Sequence, residues 1–192
     1  QNLCTRRLDQ RCDVFGLEQE IDRHWPTYCR TVEILRAEIP ELKVVVGKAN
    51  GVTIPNVIDN LLYEEHDVRA AMAHGTAALT ASGTATLECA VLDTPEVVCY
   101  KLSFLSGQIA KKINRSPFIS MTNLIAGRKI VPEFLQQQAN AKNISMALKP
   151  LLKYKNERQK MRDGFEEVRR LLGLPGAYGR AANLILKRTI YG

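Results

Sequence analysis

Residues 81–88 of this 192-residue chain combine side chains that suit a nucleotide: Ser82, Gly83, Thr84 and, four residues later, Glu88. They lie between an apolar run and a helix-forming run, which predicts a strand, a short loop and the first turn of a helix. Such a turn presents free N–H groups and the positive end of a helix dipole to a phosphate. Gly83 permits a sharp turn and a close approach to the backbone. Thr84 is expected to cap the helix with its hydroxyl.

Glu88 follows one helical turn further along, on the same side as the loop. A carboxylate at this point can accept hydrogen bonds from ribose hydroxyls, whereas it would repel a phosphate. The pattern therefore indicates a nucleotide site. The alternative is an ordinary α/β turn in which Ser82 and Thr84 only cap the helix, and these residues alone leave both interpretations open.

A scaffold for this loop is indicated by short apolar segments that alternate with helical patterns. We expect strands over 42–47, 77–81, 97–100 and 117–121, a loop over 122–128, and helices over 25–39, 54–62, 67–73, 84–92, 102–113, 131–138, 141–152, 156–172 and 177–188. This alternation is typical of an α/β fold with a Rossmann-like parallel sheet covered by helices on both faces. Ligands of such sheets bind beyond the carboxyl ends of the strands, where Ser82 is expected.

The composition narrows the classes of protein and of partner. No apolar run approaches the roughly 20 residues of a bilayer-spanning helix. The five cysteines show neither a CxxC pair nor metal-ligand spacing, and their odd number favours a reducing, cytoplasmic compartment. The net charge is +7, with Lys and Arg dense over 149–170, which favours phosphates, acidic lipid headgroups or nucleic acid as partners. Nucleic acid is not expected, because few aromatic residues accompany those charges.

Three further stretches carry a family resemblance: ASGTATLE at 81–88, TPEVVCYKLS at 94–103 and TNLIAGRKIVPEFLQ at 122–136. In order and spacing they resemble the C-terminal half of lipid-A-disaccharide synthases, which are glycosyltransferases of the two-domain GT-B fold. The resemblance implies that residues 1–20 begin the domain, that 21–140 form the donor-binding domain and that 141–192 form C-terminal helices. It also implies that the N-terminal acceptor domain, with the catalytic acid–base group, is absent, so we expect no catalytic residue in this chain.

The resemblance also implies the substrates and the residues that hold them. The donor is a UDP-linked acylated glucosamine, the acceptor is a phosphorylated lipid, and UDP is released with inversion, without a cofactor or a metal ion. Residues 82–84 are expected at the diphosphate and Glu88 at the ribose. Asn123, Gly127 and Arg128 are expected at the donor sugar or its phosphates, since arginine suits bidentate phosphate contacts.

A peripheral position on the cytoplasmic side of the inner membrane follows from the same resemblance. Four basic residues are expected to face its anionic surface: Lys149, Lys153, Arg158 and Arg162. The last helix, over 177–188, is expected to expose an apolar stripe in this chain, which favours a homodimer.

One departure from the family concerns the turn after the first strand. The family has an Ala/Pro-Gly-Ser-Arg turn whose arginine reaches the donor phosphates, whereas this chain has Gly16-Leu17-Glu18. Gly16 fits the pattern, but Glu18 places a negative charge where a positive one is needed. A degenerate GT-B relative, or one of different specificity that binds a UDP-sugar without this activity, therefore stays open as the alternative.

Overall fold

A computed structural model describes residues 11–15, 18–48, 50–55, 58–101, 117–174 and 176–191. Within these ranges, six parallel strands form one sheet in the order β3-β2-β1-β4-β5-β6. The strands are β1 (Arg11–Phe15), β2 (Lys43–Gly47), β3 (Leu61–Glu64), β4 (Ala77–Thr80), β5 (Glu96–Tyr100) and β6 (Glu133–Leu135). The expected helix over 102–113 lies outside the described residues.

The helices in the described ranges are α1 (Glu18–Glu38), α2 (Val68–Ala73), α3 (Thr84–Val91), α4 (Met121–Ala126), α5 (Ala141–Lys153), α6 (Lys155–Leu172) and α7 (Ala177–Tyr191). A single 3₁₀ turn, Gln136–Gln138, follows β6. Helices α1 and α5 pack against each other, whereas α3, α4 and α6 form a second group in mutual contact.

Strand β4 shows how the two faces of the sheet are covered. Ala77 and Leu79 belong to the large core that contains the buried side chains of α1 and α5. Ala78, which points to the opposite face, packs with Met72 of α2 and Cys89 of α3. The expected parallel sheet with helices on both faces is therefore confirmed.

Helix α1 buries the apolar face that the sequence predicts. Trp25, Val32 and Leu35 are at most 5% exposed, and the indole N–H of Trp25 donates to the carbonyl of Pro55 at 2.8 Å. The expected start near residue 25 is wrong, because the helix begins at Glu18 and Pro26 lies inside it. Ile21, four residues before Trp25 and also buried, continues the same face toward the amino terminus.

Four predicted elements on the flanks of the sheet are wrong. The helix expected over 54–62 is absent in the described part of that segment, which ends in strand β3. The strand expected over 117–121 is an irregular turn, and the loop expected over 122–128 is mostly helix α4. The helix expected over 131–138 is strand β6 followed by the 3₁₀ turn. The two missed strands are the two edges of the sheet, where half-buried residues leave no continuous apolar run.

The three C-terminal helices α5, α6 and α7 are confirmed, with different degrees of burial. Phe165 and Val168 of α6 are fully buried, whereas α7 exposes Tyr178 by 94% and Leu184 by 67%. Among the described residues, none of the helices has the length and apolar character that a bilayer crossing requires.

Candidate functional site

The Ser82–Thr84 loop lies at the carboxyl end of β4, beside the point where the strand order of the sheet changes direction. Strand β1 pairs with β2 on one side and with β4 on the other. Connections that leave β1 and β4 in opposite directions open a crevice at their carboxyl ends, which is the usual ligand position in such sheets. Gly16 and Leu17, which follow β1, lie outside the described residues.

The amino terminus of α3 is open toward this crevice. Gly83 occupies the N-cap position with φ 150° and ψ −160°, and among the described residues no heavy atom beyond its two chain neighbours lies within 4 Å of the position that a Cβ would take. Thr84 is the first helical residue, so the expectation that it caps the helix is wrong. In the part of the chain that the structure describes, the N–H groups of Thr84 and Ala85 have no hydrogen-bond acceptor. Two N–H groups at a helix amino terminus are thus free for an anion.

Ser82 and Thr86 fix the shape of this loop from within. The Ser82 hydroxyl donates to the carbonyl of Ile119 at 2.7 Å, and the Thr86 hydroxyl donates to the carbonyl of Gly83 at 2.8 Å. The single hydroxyl proton of Ser82 is therefore used inside the protein, and its role at a ligand reduces to its backbone and its lone pairs.

Glu88 is half-buried on α3, one turn after Thr84. Its carboxylate has no hydrogen-bonding or ionic partner among the described residues. A carboxylate with free acceptor capacity beside two free N–H groups can receive hydroxyl hydrogen bonds from the same ligand.

Asn123 is not the exposed loop residue that the sequence predicts, because it lies fully buried within α4. Its Oδ1 accepts the N–H groups of Ile130 at 2.6 Å and Val131 at 2.9 Å. Its Nδ2 donates to the Val131 carbonyl at 3.0 Å and to Glu133 Oε1 at 2.8 Å. With these four bonds inside the protein, the amide has no free capacity to contact a donor sugar.

Gly127 and Arg128 are separated from the Ser82–Thr84 loop by the length of α4, about 9 Å for six residues. Gly127 ends α4 in a left-handed conformation, with φ 65°. The chain from Arg128 then leads to Glu133, the first residue of β6, which pairs with Val98 of β5. Arg128 Nη2 is 2.5 Å from Glu167 Oε2 of α6. Helix α4 thus lies between these two residues and the loop, and their role at the donor sugar stays a prediction.

The carboxylate of Glu133 joins the start of α4 to strand β6 and was missed by the sequence analysis. It accepts the N–H groups of Ile119 at 3.0 Å and Ser120 at 2.8 Å, together with the Ser120 hydroxyl at 2.5 Å. The available signal was Ser120, a residue type favoured at helix N-caps, which accepts the N–H of Asn123 at 3.1 Å.

The carboxyl group of Glu96, at the start of β5, is fully buried and lies beneath α3 and α4. Burial raises its pKa to about 8, against smaller lowering effects of hydrogen bonds from Thr80, Thr122 and Cys89, and the nearby Glu133 adds to the rise. Thr122 Oγ1 is 2.9 Å from the Thr86 carbonyl and 3.1 Å from Glu96 Oε1. Thr122 has one hydroxyl proton for these two acceptors, and when it donates to the carbonyl, a protonated Glu96 can donate to Thr122 Oγ1 in its place.

Three of the four basic residues expected at a membrane surface are engaged with the protein itself. Lys149 forms an ion pair with Glu38 of α1, and Arg158 Nη1 donates to the Leu151 carbonyl at 2.7 Å. Arg162 Nε donates to the carbonyl of Asp93 at 3.0 Å. The remaining residue, Lys153, is exposed. In the described ranges, no group of three or more His, Cys, Asp or Glu side chains is arranged to hold a metal ion.

Solved structures with this fold include several glycosyltransferases. The glycosyltransferase of kitacinnamycin aligns with a TM-score of 0.62 at 16% identity, over 97% of this chain and 46% of that chain. The calicheamicin glycosyltransferase CalG4 aligns with a TM-score of 0.58 at 19% identity, over 97% of this chain and 44% of its own. MnaA of S. aureus, solved with UDP, gives a TM-score of 0.55 at 16% identity, over 85% of this chain and 42% of that chain. These likenesses confirm the expected fold class.

Curated relatives named lipid-A-disaccharide synthase share more sequence. The protein of Synechocystis sp. is 34% identical over 179 residues, which cover 88% of this chain and 45% of the relative. That of Rhodospirillum centenum is 33% identical over 185 residues, or 89% of this chain and 46% of the relative. That of Solibacter usitatus is 45% identical over 113 residues, or 58% of this chain and 30% of the relative. The chain spans less than half the length of these relatives.

The sequence model of the lipid-A-disaccharide synthetase family matches residues 16–183. This range contains all three stretches on which the resemblance rests and extends from the turn after β1 into α7. The chain therefore belongs to the lipid-A-disaccharide synthetase family.

Proposed function

We propose that this chain is the donor-binding half of a lipid-A-disaccharide synthase and that the amino terminus of α3 holds the diphosphate of a UDP-linked acylated glucosamine. The observation that carries the proposal is the pair of free N–H groups at Thr84 and Ala85, behind the open space at Gly83. They face the crevice at which the strand order changes direction. Gly16, which follows β1 in the sequence, belongs to the proposed site as the residue that fits the family pattern.

The proposed reaction transfers the acylated glucosamine to a phosphorylated lipid acceptor. A hydroxyl oxygen of the acceptor forms a bond to the anomeric carbon while the bond from that carbon to the diphosphate oxygen breaks, which inverts the centre and releases UDP. Donors directed at the diphosphate stabilise the negative charge that develops on it. The base that takes the acceptor proton belongs, in this proposal, to the part of the whole protein that precedes this chain.

Glu88 is the proposed ribose ligand of the same site. Its carboxylate lies on α3 one turn beyond the proposed diphosphate position and has free acceptor capacity within the described part of the chain. Hydrogen bonds from two ribose hydroxyls to this carboxylate would orient the uridine moiety and keep the carboxylate away from the phosphates.

A substitution at Gly83 tests the proposed diphosphate position. Gly83→Ala places a methyl group in the open space before the free N–H groups, and we expect UDP affinity to fall at least tenfold. The matched control is Gly173→Ala, because Gly173 also has a positive φ of 76° and open space around its Cβ position. Gly173 ends α6, away from the loop, so the control shares the backbone strain of φ > 0 without obstructing the ligand.

UDP binding is measured by calorimetry and by amide chemical shifts in NMR spectra. If the unsubstituted chain shows no response at millimolar UDP, the proposed function is wrong. Equal losses of affinity in the two variants would assign the effect to backbone strain and remove the diphosphate from this loop.

A degenerate relative that binds a UDP-sugar without catalysis is the second candidate. It is favoured by Leu17 and Glu18, which stand where the resemblance implies serine and arginine. Restoring the family turn by Leu17→Ser and Glu18→Arg separates the two candidates, because a large gain in UDP affinity is expected if the altered residues have damaged the site.

We further propose that the protein works at the cytoplasmic face of the inner membrane, where its lipid substrates lie. Fewer basic side chains of the described C-terminal helices are available to an anionic surface than the sequence suggests. Lys153 is exposed, whereas Lys149, Arg158 and Arg162 contact the protein. Pelleting with vesicles that contain or lack acidic lipid tests the electrostatic part, and equal pelleting in both would contradict it.

We propose a homodimer through the exposed face of α7. Tyr178, Leu184 and Ile185 are 94%, 67% and 66% exposed, an apolar surface of the kind that marks association sites. Light scattering after size exclusion should give twice the monomer mass. The double substitution Leu184→Ser and Ile185→Ser should return the monomer, and a monomeric parent chain would refute the dimer.

A further inference from the structure

The carboxylate of Glu133 accepts four hydrogen bonds that hold the turn at 119–120. Oε2 accepts the N–H of Ile119, and Oε1 accepts the N–H and the hydroxyl of Ser120 and the Nδ2 donor of Asn123. Every partner is a donor, so the ionised carboxylate, which only accepts, matches the turn. Through these bonds strand β6 determines where the chain enters α4.

The same turn is bonded on its other side to the proposed diphosphate loop. The Ile119 carbonyl accepts the hydroxyl of Ser82 at 2.7 Å, and the N–H of Met121 donates to Thr86 Oγ1 at 3.1 Å. Thr122 Oγ1 donates to the Thr86 carbonyl at 2.9 Å. Three hydrogen bonds thus connect the segment that Glu133 holds to the loop and first turn of α3.

We propose that Glu133 is a positioning residue for the donor nucleotide, which it never touches: it fixes the 119–122 segment and, through Ser82 and Thr86, the amino terminus of α3. This inference rests on the proposed function, because it takes that terminus to be the diphosphate site. It also gives Asn123 a role beside Glu133 in the same support.

The test replaces Glu133 by glutamine, which keeps the shape but turns an NH₂ donor toward at least one donor of the turn. If only about a tenth of the variant molecules keep the loop in the conformation that binds UDP, the UDP affinity falls about tenfold. The matched control is Glu64→Gln on β3, the opposite edge strand, because the Glu64 carboxylate likewise accepts two backbone N–H groups, those of His66 and Asp67. In the described ranges it has no hydrogen bond to 119–122 or to the Ser82–Thr84 loop, so this variant should leave UDP affinity unchanged.

Two readouts separate this inference from the function on which it rests. The first is UDP affinity, also measured for Ser82→Ala and for the double variant with Glu133→Gln. If Glu133 acts through Ser82, the double variant loses less than the product of the two single losses. The second is hydrogen exchange at the N–H of Met121, which Glu133 does not contact and which should exchange faster in Glu133→Gln.

Each outcome decides one of the two claims. Unchanged UDP affinity in Glu133→Gln, beside measurable affinity in the parent chain, overturns the positioning role. Absence of UDP binding in the parent chain overturns the proposed function, and with it the nucleotide role of Glu133. Faster exchange at Met121 would then still show that Glu133 positions the loop, whereas unchanged exchange would remove that role too.

Discussion

The free energy of unfolding of the parent protein should fall between weakly acidic and alkaline pH, and replacing Glu96 by glutamine should remove most of that fall. Burial raises the pKa of the folded carboxyl group to about 8, against an ordinary value of 4.5. Below pH 4.5 the group is protonated in both the folded and the unfolded chain. Above it, the unfolded chain releases a proton that the folded chain keeps, so the free energy of unfolding falls as pH rises through 8.

The size of the effect follows from the width of that window. One pKa unit corresponds to about 1.4 kcal/mol, so the difference between 4.5 and about 8 gives a loss of roughly 5 kcal/mol. Glutamine is neutral at every pH and keeps the hydrogen bonds of the neutral acid, since its Nε2 can donate to Thr122 and its Oε1 can accept from Thr80. At pH 5 we expect the two proteins to differ by at most about 1 kcal/mol. At pH 9 the variant should be more stable by several kcal/mol.

Urea titrations at pH values from 5 to 9 measure this difference. Trp25 is the single tryptophan of the chain and is 5% exposed in α1, so its fluorescence reports unfolding of the core. The free energy of unfolding is extrapolated at each pH, with the m-value checked for constancy. Glu41→Gln, at an exposed carboxylate, serves as the control and should follow the parent curve.

Parallel curves for the parent and Glu96→Gln over this range would refute the reasoning, because they would show that Glu96 titrates alike in the folded and unfolded chains. A variant that is strongly destabilised already at pH 5 would also contradict it. That result would mean that the folded carboxyl group is charged and accepts hydrogen bonds that an amide cannot accept.

Three further predictions concern the proposed site and the packing around it. Glu88→Gln should weaken binding of UDP but leave that of 2′,3′-dideoxy-UDP unchanged, as measured by calorimetry; equal losses for both would exclude a ribose contact. The double substitution Leu17→Ser and Glu18→Arg should strengthen UDP binding at least tenfold if the altered turn damages a nucleotide site, and no gain would count against that view. Gly164→Ala should lower the free energy of unfolding by about 1–3 kcal/mol, because its Cβ would lie 2.6 Å from Ile130 Cγ2. Ile130→Ala should lower the free energy of unfolding less in the Gly164→Ala background than in the parent protein, and a double-mutant cycle measured by urea unfolding tests this.

The central strands of this sheet could be predicted from the sequence because burial on both faces leaves a continuous apolar run. Strands β2, β4 and β5 carry such runs, with Val44–Val46 and Ala77–Leu79 as examples, and all three are confirmed. Strands β3 and β6 are held by backbone pairing to a single neighbour, Val44 with Leu61 in one case and Val98 with Glu133 in the other. Pairing of this kind leaves little trace in the sequence of a short, half-exposed strand.

The positions of some candidate site residues follow from their own segment of the chain, whereas the positions of others depend on contacts with distant segments. Ser82, Gly83 and Glu88 are set by the strand, loop and helix that contain them, and the structure brings them together at one edge. Asn123 and Arg128 were expected beside them, but their positions depend on whether 121–126 form a loop or a helix. Ser120, as the cap of α4, directs Asn123 into the interior, and Arg128, beyond the end of the helix, contacts Glu167.

A strongly raised pKa is often a sign of catalysis, and Glu96 shows why geometry has to be considered first. A general acid with a pKa of about 8 would suit a sugar transfer at neutral pH. However, although Glu96 contacts Thr80, two residues before Ser82, its carboxyl group lies inside the protein and not in the crevice. Its side chain is fully buried and bonded to Thr80 and Thr122, so neither a substrate nor water reaches it. The raised pKa follows from the burial of a carboxyl group that joins β5 to α4 beneath the loop. In the proposed reaction, another group therefore has to take the proton of the acceptor hydroxyl.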